Sequence, residues 1–256
     1  MTSVWRTSGW VLVGAALILA LSLGVRHGFG LFLAPMSADF GWGREVFAFA
    51  IALQNLIWGL AQPFAGALAD RLGAARVVII GGILYAVGLV LMGTADSAWS
   101  LSLSAGLLIG IGLSGTSFSV ILGVVGRAVP ADKRSMAMGI ASAAGSFGQF
   151  AMLPGTLGLI QWLGWSAALL VLGLLVAFIV PFVGLLRDRP LPSHGAEQTL
   201  GQALREACSH PGFWLLALGF FVCGFQVVFI GVHLPAYLVD QHLPASTGTT
   251  VLALVG

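Results

Sequence analysis

Long apolar runs broken by short polar connectors set the pattern of this chain. A hydrocarbon core takes about 20 apolar residues per helical crossing. By that measure we read seven spans, at 10–35, 47–69, 77–95, 99–126, 136–160, 165–186 and 213–238. An eighth run begins near Thr247 and reaches only VLALVG, so this reading has the chain stop inside a helix, truncated at its C-terminus. The pattern predicts an all-α, polytopic membrane fold. A six-helix bundle covers 1–186, a linker 187–212, and a seventh helix with the start of an eighth 213–256. The linker is the longest polar stretch and is rich in Pro and charge. It reads either as a flexible loop or as a loop with a short amphipathic helix around Thr199–Cys208.

Composition agrees: 58% of residues are hydrophobic and 8% charged, and the mean hydropathy is +1.01. A soluble domain carries about 25% charged residues. The 36 glycines suit membrane helices, where close backbone approach replaces the missing hydrophobic drive. Cys208 and Cys223 lack metal or redox spacing and sit in a polar connector and an apolar run, so no disulfide is expected. The first apolar run is too long for a cleavable signal peptide.

Charge fixes an orientation. With the N-terminus in the cytoplasm, Arg6, Arg71, Arg76, Arg127, Lys133, Arg134, Arg187, Arg189 and Arg205 fall on the cytoplasmic side. Arg44 then lies outside and Arg26 within a span, while the acidic residues divide nearly evenly. This asymmetry is what the positive-inside rule predicts for a multi-pass protein of a plasma (inner) membrane. FLAPMSAD (32–39) also lies against HLPAYLVD (233–240), matching Leu33 to Leu234 and Asp39 to Asp240. Six helices, a linker and a restart is the plan of transporters built from parallel halves.

Between spans two and three stands GALADRLGAARV (66–77), which resembles the signature loop of the major facilitator superfamily. Gly66, Asp70, Arg71 and Gly73 match in register; Ala74 and Ala75 replace two basic positions, and Arg76 comes one place late. The resemblance implies that Gly66 allows close approach to a helix of the other half and that Asp70 helps latch a cytoplasmic gate. Arg127, at the end of span four, is a candidate partner; ordinary interfacial charges are the plainer reading. FGLFLAPMSADFGWGR (29–44) and the span after it are similar to the oxalate/formate-antiporter and monocarboxylate-porter branch. GIASAAGSFGQFAMLPG (139–155) is only loosely like the antiporter motif of the fifth helix and lacks its G-P pair, so antiport does not follow. Membership implies a small-molecule substrate, a single chain in the bilayer, no cofactor and no nucleic-acid partner.

Polar residues at membrane depth are the candidate chemistry. At 1.5 Å per residue, Arg26 stands about 4–5 Å to the outer side of the midplane, level with Gln54 and Asn55. A guanidinium in hydrocarbon costs roughly 2.5–3.5 kcal/mol. Arg offers a planar fork that takes a carboxylate through two bonds. One reading therefore has Arg26 bind a carboxylate anion with Gln54, Asn55, Gln149 and Gln226, and with Trp58 shaping the cavity. In two others Arg26 snorkels to the outer surface or pairs with backbone carbonyls. Gln54, Trp58, Gln62 and Gly66 recur every four residues, which puts them on one face. No Asp or Glu lies deep in a span, so His27 and His233 are the candidates for proton coupling. His27 also reads as a neutral histidine bonded to a neighbouring helix, and His233, near the outer end of span seven, as merely interfacial.

Two transport functions fit: a secondary transporter moving a small organic anion by alternating access, and an exporter of drugs or amphiphiles through an aromatic-lined cavity. A fragment that transports nothing is a third reading. The sequence offers no metal-ligand cluster, nucleophile–base set or phosphate-binding loop, so neither an enzyme nor a metal site is expected.

Overall fold

The computed structural model describes residues 2–186 and 200–255, and every element among them is helical. Residues 187–199 of the expected linker, with Arg187 and Arg189, lie outside the described residues. Six stretches are long and apolar enough to cross a membrane.

The first expected span is two helices, α1 (Thr2–His27) and α2 (Gly30–Phe40). At the join, the Phe29 N–H donates to the Arg26 carbonyl at 3.2 Å and the Leu31 N–H to that of Gly28 at 3.1 Å. These tighter three-residue bonds interrupt the α-helical ladder. α3 (Arg44–Leu72) and α4 (Ala74–Gly93) meet at Gly73, whose φ of 88° strains any L side chain. The signature-loop glycine thus has a local backbone reason.

The fourth crossing is also interrupted. Ser97 and Ser100 cap each other at its start. α5 (Ala98–Leu101), a π-helical turn at Ser102–Leu108, α6 (Ile109–Thr116) and α7 (Phe118–Ala128) follow, with Ser117 extended between the last two. α8 (Arg134–Ala177) covers the fifth span and most of the sixth, with Gly164 at φ 81° and ψ 165°. That glycine is a reversal. Gly145, Gly148 and Thr156 run up alongside Leu19 and Ala20 of α1 and Gly28 just after it, whereas Ser166 and Gly173 come back along Gly93 and Ala86 of α4. α9 (Ile179–Phe182) completes the return, and Leu185 packs on Gly14. α10 (Leu200–Ser209) leads through His210 into α11 (Pro211–Asp240), and α12 (Ala245–Val255) closes the described chain.

Small residues hold the crossings together. A Cβ on Gly148 would meet the Ala20 carbonyl oxygen at 2.2 Å, and one on Gly112 the Gly81 carbonyl oxygen at 2.8 Å. These are backbone atoms that no rotamer can move aside. Gly148→Ala is therefore expected to destabilise by about 1–3 kcal/mol through overpacking, read as a lower melting temperature in detergent.

Arg71, Arg76, Arg127, Lys133 and Arg134 gather at one end of the bundle, here the basic end. α11 touches the first bundle towards the opposite end, where its buried residues are Val232, Pro235 and Ala236. There a Cβ on Gly30 would meet the Gly231 carbonyl oxygen at 2.0 Å. Leu252 of α12 packs with Leu31 and Leu153 beside it.

Candidate functional site

Arg26 and His27 form the last turn of α1. The break that follows leaves helix-end carbonyls inside the bundle, which favours a cation there. At the break Gly28 lies close against Thr156, whose hydroxyl oxygen would stand 3.2 Å from a Cβ there. The guanidinium turns sideways onto α3. It donates from Nη2 to Asn55 Oδ1, and its Cζ lies 4.5 Å from the centre of the Trp58 ring. It does not snorkel: Nε is buried.

Each support of Arg26 is itself held. The Asn55 amide donates to the Ile51 carbonyl at 2.7 Å, so its oxygen is the atom left for Arg26. The Trp58 indole N–H donates to Ser117 Oγ at 3.0 Å, at the interruption of the fourth crossing. Three crossings thus converge: α1 supplies the cation, α3 the amide and ring, and the α6–α7 junction the hydroxyl.

Among the described residues no carboxylate pairs with Arg26. Arg26 is in neither of the ion pairs Arg44–Asp240 and Arg127–Asp70, so its partly buried positive charge has no acid partner among the described residues. Two buried polar atoms in this region also lack a protein partner: Arg26 Nε, a donor, and Gln54 Oε1, an acceptor. Arg26, His27 and Gln54 line one cavity of about 30 Å³ with Val227, Val228 and Gly231 of α11. Buried polar atoms in proteins nearly always find a partner. This cavity therefore has the chemistry to take a small polar or anionic group.

The sequence-predicted residues divide. Arg26, Asn55 and Trp58 are in contact. Gln54 is fully buried and donates to the Ala105 carbonyl at 2.7 Å, so it faces the π-helical turn and not the open side of α3. The four-residue spacing that grouped it with Gly66 advances about 40° per step, and three steps carry the face about 120° round the helix. Gln149 is half-buried and Gln226 exposed, and no hydrogen bond joins either to Arg26. His27 Nε2 lies 3.3 Å from the Leu252 carbonyl oxygen, turned towards α12 and away from Asn55. His233 packs against Phe229, with ring centres 4.9 Å apart. Asp70 accepts from Arg127 at 3.0 Å, Arg71 is exposed, and Gly66 has open space beside its Cα.

Sequence reasoning missed a tie at the end opposite the basic one. Arg44 donates through both terminal nitrogens to the two Asp240 oxygens, at 2.5 and 2.6 Å, and so joins α3 to α11. On the same end Asp39 accepts from the Trp165 indole. The 32–39 and 233–240 repeat contained the signal, because its two matched acids, Asp39 and Asp240, are the residues that make these bonds.

A sequence model of the Major Facilitator Superfamily matches residues 5–256. Monocarboxylate transporter 11 of Mus musculus is 30% identical over 253 residues, 96% of this chain and 56% of that protein. Monocarboxylate transporter 13 of Rattus norvegicus is 32% identical over 256 residues, again 96% of this chain and 58% of the relative. The oxalate:formate antiporter of Oxalobacter formigenes is 27% identical over 233 residues, 84% of this chain and 51% of that protein. Among solved structures, an inward-facing, unoccupied bacterial homologue of the human lysosomal transporter Spinster superposes with a TM-score of 0.72 at 18% identity. That match covers 95% of this chain and 58% of the other, and it shows the shared fold. The chain spans about half the length of the curated relatives it matches. With a signature loop, a fold and a family match over nearly all its residues, the chain belongs to the Major Facilitator Superfamily.

Proposed function

We propose that this protein is a secondary transporter of a small organic anion, that the anion's carboxylate binds at Arg26, and that it crosses by alternating access. The observation that carries the proposal is the guanidinium itself: partly buried with Nε enclosed, braced by Asn55 and Trp58, unpaired with any acid of the described chain and beside a small cavity that Gln54 also lines. A bilayer-depth cation without a partner is costly unless a ligand supplies the charge. The names of the monocarboxylate and oxalate:formate relatives support an organic anion. Residues 1–186 act as one half and 187–212 as the linker to the next. The protein works as a single chain in the plasma membrane with its basic end and N-terminus in the cytoplasm.

Alternating access needs one end closed while the other opens. Arg44–Asp240 and the Gly30–Gly231 approach close the outer end, and Asp70–Arg127 acts at the inner gate. The test is thermal stabilisation of the purified full-length protein by a panel of one- to four-carbon carboxylates, with a cationic aromatic amphiphile as the competing class. Stabilisation by carboxylates alone is expected; stabilisation by the amphiphile alone would favour an exporter.

Ser117 positions the ring under Arg26. Ser117→Ala removes one neutral hydrogen bond, worth about 0.5–1.5 kcal/mol. Carboxylate affinity should fall between about twofold and tenfold, with Ser117→Thr restoring it. Isothermal titration reads the difference.

A further inference from the structure

A second cavity, of about 440 Å³, opens between α3 and α4 on the outside of the bundle. Phe64, Leu68 and Ile80 form its walls, Gly81 and Gly115 lie in its floor, and Arg71 stands at its basic end. The first three are exposed, although no polar group recommends them to water. Along α3 the cavity runs from Ala61 to Arg71, ten residues or about 15 Å. Half of a hydrocarbon core about 30 Å thick is the same length, the depth of one leaflet. Arg71 pairs with no acid among the described residues, and exposed Arg76 starts the facing helix. Phe64 and Leu68 each stand about 200° round α3 from Gly66. The groove is therefore separate from the face that carries Gly66, and Arg26 takes no part in it.

We propose that this groove binds one anionic phospholipid of the leaflet at the basic end, with an acyl chain along Phe64, Leu68 and Ile80 and the phosphate on Arg71. Length matches the chain, and a guanidinium with no acid partner among the described residues matches the headgroup. Such a lipid fills the wedge between α3 and α4 that protein side chains leave open.

The experiment is native mass spectrometry of the delipidated full-length protein, titrated with phosphatidylglycerol or with phosphatidylcholine of the same acyl chains. One phosphatidylglycerol should bind in preference to phosphatidylcholine. Arg71→Gln should weaken phosphatidylglycerol about tenfold and leave phosphatidylcholine unchanged; Arg71→Lys should keep most of the preference. Ala61→Phe, which fills the groove without touching charge, should weaken both lipids. Melting temperature in lipid-free detergent identifies any variant that has merely lost its fold. Unchanged phosphatidylglycerol binding in folded Arg71→Gln, or unchanged binding of both lipids in folded Ala61→Phe, would overturn the proposal.

Discussion

Arg26→Gln is expected to lower carboxylate affinity by about 2–4 kcal/mol, or roughly 30-fold to nearly 1000-fold, without lowering the melting temperature of the ligand-free protein. The two halves of that expectation have one cause. A structural arginine is paired within the protein, and removing it leaves its partner exposed to the loss. Arg26 has no acid partner among the described residues; it gives a bond to Asn55 and lies on Trp58. Removing a partly buried charge with no acid partner among the described residues relieves a desolvation cost that offsets those contacts. The ligand, which supplied the missing charge, has nothing left to bind. Arg26→Lys keeps the charge but loses the fork, so its affinity should fall between the two. Titration of purified protein gives the affinity, and unfolding in detergent gives the stability. A fall in ligand-free stability with affinity retained would return Arg26 to a structural role.

Gly30→Leu should have the largest effect on conformation. A Cβ at Gly30 reaches 2.0 Å from the Gly231 carbonyl oxygen, so α2 and α11 cannot close with any larger residue between them. The variant is expected to favour a state open at the end that carries Arg44 and Asp240. Arg44→Asp should push the same way more weakly, because the pair is solvent-exposed, and Arg44→Asp with Asp240→Arg should restore closure. Spin labels at exposed Trp99 and Gln241, with Cys208 and Cys223 replaced by Ser, report the separation at that end. A longer distance is expected in Gly30→Leu, and an unchanged distribution would contradict the closing role.

Much of this was legible in the residues. A crossing needs about 20 apolar residues whatever its partners, so the runs alone marked every helix that could span. The cost of a guanidinium in hydrocarbon likewise singled out Arg26 before any neighbour was known. What escaped depends on neighbours. The break at Gly28–Phe29 lies against Thr156, and the interruption at Ser117 goes with a bond to Trp58. Arg44 and Asp240 are 196 residues apart, beyond any local pattern. Depth alone points to Gln149 and Gln226, but it gives height along a helix and not the direction a side chain takes. Gln54 lines the cavity with Arg26, but its face drifts away from that of Gly66 over three turns.

The central claim is that a carboxylate binds at Arg26 and is carried. Counterflow of a labelled carboxylate into proteoliposomes preloaded with the same unlabelled anion tests it most directly. Wild-type and Arg26→Gln full-length protein would be reconstituted in equal amounts. Accumulation of label by the wild type and its loss in the variant is the predicted result; equal accumulation by both, with the same half-saturating concentration, would contradict the account.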